Sequence, residues 1–148
     1  MTRTIKALSL RRPWPWAIFD LPPEYAKDVE NRMWHTDFRG SVLIHAAKGC
    51  TVDEYYDGVD FIVATCLELG RRTLVEVPPL EQMAAGGIVG AVDIVDCVDS
   101  ITSPWFVGKW GFVLRNPRKL PFVECRGQQG FFPVPNDVVA RIKELKAA

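Results

Sequence analysis

Apolar and polar positions alternate from Ile5 to Leu10, which predicts a first β-strand. The run Pro13-Trp14-Pro15-Trp16 comes next. Proline suits the first turn of a helix, so a short helix opening at Pro13 or Pro15 and running through Phe19 is expected, with Leu21-Pro22-Pro23 ending it. Asp28 to Trp34 reads as a second strand. After a turn at Arg39-Gly40, Ser41 to Ala46 reads as a third. Thr51-Val-Asp-Glu54 fits a capping box, in which the Thr hydroxyl and the Glu carboxylate each satisfy a free backbone amide. Val52, Tyr55, Tyr56, Val59, Ile62, Val63, Cys66 and Leu67 then recur at helical spacing, and Gly70 stops the helix. Pro78-Pro79 breaks the less regular stretch that follows. Ile88 to Val98 is rich in β-branched residues and predicts a central strand. Trp110 to Leu114, Phe122 to Cys125 and Gln129 to Val134 are read as three further strands. Asn136 is expected to cap a final helix with Val138, Val139, Ile142 and Leu145 on one face.

Six to seven strands, mostly in turn-linked succession, with a helix near each end and one in the middle, predict an α+β domain built on a small β-barrel. No repeat, linker or low-complexity tract divides residues 1–148, so a single domain is expected. An apolar fraction of 48% and a charged fraction of 24% exclude a disordered chain.

Charge changes the picture more than composition does. The formal net charge is zero, yet residues 1–52 carry eight Lys/Arg against five Asp/Glu, residues 53–99 two against ten, and residues 100–148 eight against three. A nucleic-acid partner would therefore be attracted by a local patch rather than by the whole field. Cys50, Cys66, Cys97 and Cys125 show no Cys-x-x-Cys spacing, and Cys66 and Cys97 lie in apolar runs. They predict reduced thiols and a cytoplasmic protein, with no metal site and no cofactor. Arg3 and Lys6 are followed by only a short apolar strand, and no apolar run is long enough for a membrane span, so neither a signal peptide nor a membrane partner is expected.

The candidate chemistry centres on Lys27 to Gly40, where Lys27, Asp28, Glu30, Arg32, His35, Asp37 and Arg39 accompany Trp34 and Phe38. Alternation along the second strand puts Asp28, Glu30, Arg32 and Trp34 on one face, and Val29, Asn31 and Met33 on the other. A carboxylate between two cations can meet a base edge while Lys27 or Arg32 meets a phosphate. It can also act as a general base. The same residues equally fit a structural ion pair closing one end of a barrel. Arg11 and Arg12, followed by Trp14 and Trp16, form a second basic-aromatic cluster. Such a cluster either stacks bases and holds a backbone, or buries its tryptophans in the core. His45 lies in an apolar strand and reads as a hydrogen-bonded core residue, and Ser9 as a buried hydroxyl. No Gly-x-Ser-x-Gly, P-loop or dinucleotide fingerprint occurs.

Ala7-Leu-Ser-Leu-Arg-Arg-Pro-Trp14, Lys27-Asp-Val-Glu-Asn-Arg32, Trp34, Phe38-Arg-Gly40 and Leu43-Ile-His-Ala-Ala-Lys48 together resemble the ASCH domain. The later segments Gly87 to Asp96, Trp110 to Pro117 and Cys125 to Phe131 are similar to that family's closing strands. The resemblance runs in order over nearly the whole chain. It implies a PUA-like β-barrel with a cleft beside it that takes RNA. ASCH proteins include RNA-binding modules, a ribonuclease, and small amidohydrolases acting on N4-acetylcytidine. In those amidohydrolases a Lys, a Thr three residues later and a Glu from a later strand carry the reaction. Here Lys27 matches the Lys, but Glu30 stands in the Thr position, and the later acid corresponds to Asp93 or Asp96. Arg12 replaces a frequent Gln, Ala26 a frequent Gly, and Pro22 to Ala26 exceeds the usual tight turn.

The expectation is thus an RNA- or nucleotide-binding domain. Lys27, Glu30, Arg32, Arg39 and Lys48 line its cleft, with Arg11, Arg12 and Trp14 beside it. One alternative is a hydrolase on RNA or a modified nucleoside, with Glu30 as base and Lys27 as electrostatic partner. Another is a barrel used for protein contacts.

Overall fold

The computed structural model describes residues 4–148, so Arg3, used above against a signal peptide, lies outside the described residues. Six strands and three helices follow in the order β1 (Lys6–Leu10), α1 (Trp14–Phe19), β2 (Val29–Arg32), β3 (Gly40–Ala46), α2 (Val52–Glu68), β4 (Gly87–Val98), β5 (Trp110–Glu124), β6 (Phe131–Pro133) and α3 (Asn136–Ala147). A short 3₁₀ turn at Leu80–Gln82 lies between α2 and β4. The strands form one mixed sheet in the order β2-β5-β4-β3-β1-β6, with β1 and β3 parallel and the other neighbours antiparallel.

The sheet curls into an open half-barrel, a barrel-like α+β form of the small barrel expected from the strand pattern. β2 and β6 are its two edges, and no ladder joins them. Side chains bridge the seam instead. Arg32 of β2 donates from Nη2 to the carbonyl oxygen of Ser9 at 3.0 Å. That carbonyl is available because β6 pairs only with Lys6 to Leu8. Phe131 of β6 stacks on Phe38 at 4.9 Å and on Phe112 at 6.0 Å, and meets Trp34 edge-on at 5.7 Å.

Three apolar clusters hold the layers. Leu8, Leu10, Val42, Ile44, Val92, Ile94, Phe112 and Leu114 fill the inside of the curl, with Ile18 of α1 packed among them. Ala7, Ile88, Val123 and Phe132 are covered by Val138 and Ile142 of α3. Ala17, Leu21, Val29, Ile62, Cys66 and Trp105 join α1, α2, β2 and the loop before β5. Burial pushes the Cys66 and Cys125 thiols up, which suits unreactive core thiols.

The strand expected at Trp110 to Leu114 and the one at Phe122 to Cys125 are a single fifteen-residue strand, β5. Pro117 and Pro121 do not break it, because each falls in a bulge. Asn116 and Pro117 sit opposite Val92, while Leu120, Pro121 and Phe122 sit opposite Val89. No ladder amide is required of a proline at those positions. The last helix also departs from expectation. Its cap position is Pro135, whose carbonyl oxygen accepts from the amides of Val138 and Val139, and Asn136 is the first helical residue.

The capping box of α2 forms as expected: Thr51 Oγ1 accepts from the Glu54 amide at 3.1 Å, and Glu54 Oε1 accepts from the Thr51 amide at 3.2 Å. Val52, Tyr56 and Leu67 face solvent, so the buried stripe is Tyr55, Gly58, Ile62, Thr65 and Cys66. Gly58 is required by space, since a Cβ there would come 2.6 Å from Cδ of Pro13. Alanine is the better helix former by about 1 kcal/mol. We nevertheless expect Gly58→Ala to lower stability by about 1–3 kcal/mol, the usual cost of overpacking, in urea denaturation. A stabilised variant would show that α2 sits farther from Pro13.

Candidate functional site

A cleft of about 1000 Å³ lies where the ends of β1 and β3, the start of β4 and the end of β5 meet the loop 126–130. Arg32 and Trp34 enter its wall from across the seam. Four basic side chains line it, Arg11, Arg32, Lys48 and Arg126, against one acidic residue, Glu124. Arg11 is paired with Glu54 of α2, and Arg32 with Glu30. Among the described residues Lys48 and Arg126 have no carboxylate partner, so their charge is available to a ligand. Trp34 is 38% exposed and is steadied by Phe112, edge-on at 5.1 Å. The cleft therefore offers free cations and an aromatic ring together.

Of the residues singled out in the sequence, the structure brings Arg11, Arg32 and Lys48 to this cleft. The strand-face reading of β2 holds for Glu30 and Arg32, whose Nε donates to Glu30 Oε2 at 2.9 Å. Asn31, on the opposite face, donates from Nδ2 to the Trp105 carbonyl oxygen. Trp34 lies beyond the end of β2.

Lys27 and Glu30 do not line the cleft. Lys27 is 4% exposed and Glu30 is 8% exposed. The Lys27 ammonium donates to the carbonyl oxygen of Val29 at 2.5 Å and lies 3.5 Å from Glu30 Oε1. The rings of Trp14 and Trp105 cover it at 5.0 and 6.0 Å. Burial holds its pKa below the ordinary lysine value, with the Glu30 carboxylate pulling the other way. A buried ammonium needs this set of partners. Glu30 in turn orients Arg32, so Lys27–Glu30–Arg32 is a chain of charges running from the core to the cleft wall.

The remaining candidates are engaged elsewhere. Arg12 donates to the carbonyl oxygens of Leu80 and Lys48 at 3.1 and 3.0 Å, which ties the 3₁₀ turn to the cleft rim. Trp14 packs against the two inner clusters and meets Phe61 edge-on. Arg39 donates to the carbonyl oxygens of Thr36 and Phe38 and lies 3.7 Å from Asp96. Asp93 accepts from Arg118 and Asn116. Neither Asp93 nor Asp96 lines the cleft.

Sequence reasoning missed the loop Arg126-Gly-Gln-Gln-Gly130, which it treated as a turn and a closing-strand motif. Its signal was a polar, glycine-flanked run with one arginine between two strands. It also missed that Ser9 and His45 face the cleft together. They are register partners on the parallel strands β1 and β3, so their side chains share a face. His45 Nε2 lies 2.6 Å from the carbonyl oxygen of Cys125, and Ser9 Oγ lies 2.8 Å from His45 Nδ1. A carbonyl only accepts, so Nε2 carries the proton and Nδ1 is left to accept from the Ser9 hydroxyl. Burial holds the His45 pKa below the ordinary histidine value, partly offset by the bond to Cys125, and favours the neutral ring.

Among the described residues no group of three His, Cys, Asp or Glu side chains is placed to hold a metal ion, and no helix is long and apolar enough to cross a membrane. Fold and site together define an α+β domain whose half-barrel carries a basic, aromatic cleft. Comparison with models of protein families and with curated proteins found no match for this chain.

Proposed function

We propose that this chain is an ASCH-type, PUA-like domain that binds single-stranded RNA or a nucleotide in the cleft between Lys48, Arg126 and Trp34. The observation that carries the reading is the pairing of two uncompensated cations with a half-exposed tryptophan in one cleft of about 1000 Å³. Cations hold a phosphate backbone while an aromatic face stacks a base, which is how single strands are bound without a paired partner. The ASCH-like motifs support the same ligand class. Arg11 and Arg32 shape the wall and add to its field, and Arg12 secures the rim on which Lys48 sits. Lys27 and Glu30 serve as the buried support of Arg32. The four free thiols suit a reducing compartment such as the cytoplasm.

Titration with a short single-stranded RNA at several salt concentrations tests this. For single strands each phosphate contact contributes a slope of about 0.7 in log affinity against log salt. Lys48→Ala together with Arg126→Ala should therefore lower the slope by about 1.4, with no change in fold, because both side chains are exposed. Binding that ignores salt, or an unchanged slope in the double variant, would reject the assignment.

A further inference from the structure

We propose that Ser9 and His45 form a nucleophile and base pair that hydrolyses an ester carried by an anionic, phosphate-bearing molecule. Three observations carry it. Ser9 Oγ and His45 Nδ1 are 2.8 Å apart, within reach for direct proton transfer. The third group of such an arrangement is the Cys125 carbonyl oxygen, which accepts from Nε2 and fixes both the tautomer and the ring plane. Both residues lie in the wall of the cleft, beside Arg32, whose guanidinium rests on the carbonyl oxygen of Ser9. His45 is 2% exposed and Ser9 is half-buried, so the serine is the member of the pair that reaches the cleft while the histidine stands behind it.

Gly127 supports the same view. A Cβ at that position would lie 2.6 Å from His45 Cε1 and 3.3 Å from Ser9 Oγ. The absence of a side chain there leaves the pair uncrowded, and its backbone needs no unusual torsion to explain the glycine.

His45 Nδ1 takes the Ser9 hydroxyl proton as Oγ bonds to the ester carbonyl carbon. The C–O bond to the alcohol breaks, and the departing oxygen takes that proton from Nδ1, leaving an acyl-serine. A water molecule, giving its proton to Nδ1, attacks the acyl carbon. The acid departs and the proton returns to Ser9 Oγ. Arg32, paired with Glu30 through Nε, keeps Nη2 on the Ser9 carbonyl oxygen, so only part of its charge faces the substrate carbonyl as that oxygen becomes negative. The ester's phosphate-bearing part rests on the cleft reading above, whereas the serine chemistry does not.

A fluorophosphonate probe, which modifies activated serines, tests the pair on the full chain. The expected result is one adduct, located on the peptide containing Ser9. It should be absent in Ser9→Ala and form about 100-fold more slowly in His45→Gln. Should His45→Gln fail to fold by circular dichroism, Gly127→Ala replaces it, with labelling at least tenfold slower. No adduct on the folded native protein, or an adduct that persists in Ser9→Ala, overturns the proposal. Labelling of Ser9 that saturating oligouridylate slows supports the anionic substrate class, and labelling indifferent to it overturns that class. Salt-dependent RNA binding without labelling would remove the chemistry and leave the binding reading intact.

Discussion

Glu30→Ala is expected to lower folding stability by about 3–5 kcal/mol, the usual consequence of removing one partner from a buried ion pair. The substitution leaves Lys27, 4% exposed, with a backbone carbonyl and two aromatic faces but no anion. It also frees Arg32 from its 2.9 Å partner at the cleft wall. Urea denaturation measures the effect, and a loss below about 1 kcal/mol would show that the Lys27 charge does not depend on Glu30. Replacing both groups, as Lys27→Met with Glu30→Gln, should cost much less than the two single losses combined, because no charge is then stranded.

The pH dependence follows from the direction of the Lys27 shift. Its folded value lies below the ordinary lysine value of 10.5, so between those two values the unfolded chain holds a proton that the folded chain has released. Stability contributed by this group therefore rises as pH rises through that window. Below the folded value the full cost of burying the charge is present. Glu30 is what pulls the folded value back up, so without it the window widens. The stability gap between native protein and Glu30→Ala should accordingly narrow as pH is raised toward 10.5. A gap that widens instead would contradict the sign of the shift.

The second large effect is at the seam. Phe112 is fully buried, pairs in register with Glu30, and joins the inner cluster to Trp34 and Phe131. Phe112→Ala should cost about 3–5 kcal/mol through lost burial and the cavity left behind. The two sheet edges share no ladder, so the packing of Phe131 on Phe112 and Trp34 joins the Arg32 bond to the Ser9 carbonyl in holding the seam. RNA affinity should therefore fall along with stability, and should fall in the variant even where it remains folded. Phe112→Leu, which keeps more of the volume, should lose less of both. Unchanged affinity in a folded Phe112→Ala would show that Trp34 is positioned by something else, or that the ligand does not use it.

Much of the fold was legible because it rests on short-range rules. The α2 helix follows from Thr51, Glu54 and an apolar stripe. The strands β1, β3 and β4 follow from alternation and β-branched runs. The Glu30–Arg32 neighbourhood follows from a period of two. Errors arose where a local rule met a distant partner. Trp110 to Leu114 and Phe122 to Cys125 read as two strands, yet β4 runs past both and the residues between them, Pro117 and Pro121 included, are taken up in bulges of β5. Asn136 reads as a cap, yet the chain enters α3 through Pro135. The strand pattern suggested a small barrel, yet β2 and β6 are left as unjoined edges of one curled sheet.

By itself the sequence determined the element types, the charge pairs on β2 and the presence of basic and aromatic residues in excess of what a core requires. Those properties depend on spacings of a few residues, which the chain carries wherever it goes. Tertiary structure alone decided which of those residues line the cleft. Packing of Trp14 and Trp105 over Lys27 put that cation in a buried setting away from the cleft of Lys48 and Arg126. Parallel pairing of β1 with β3 set Ser9 beside His45, thirty-six residues away, and the return of β5 placed the Cys125 carbonyl behind the ring. Contacts over such separations depend on the register of the whole sheet, and no local pattern encodes them.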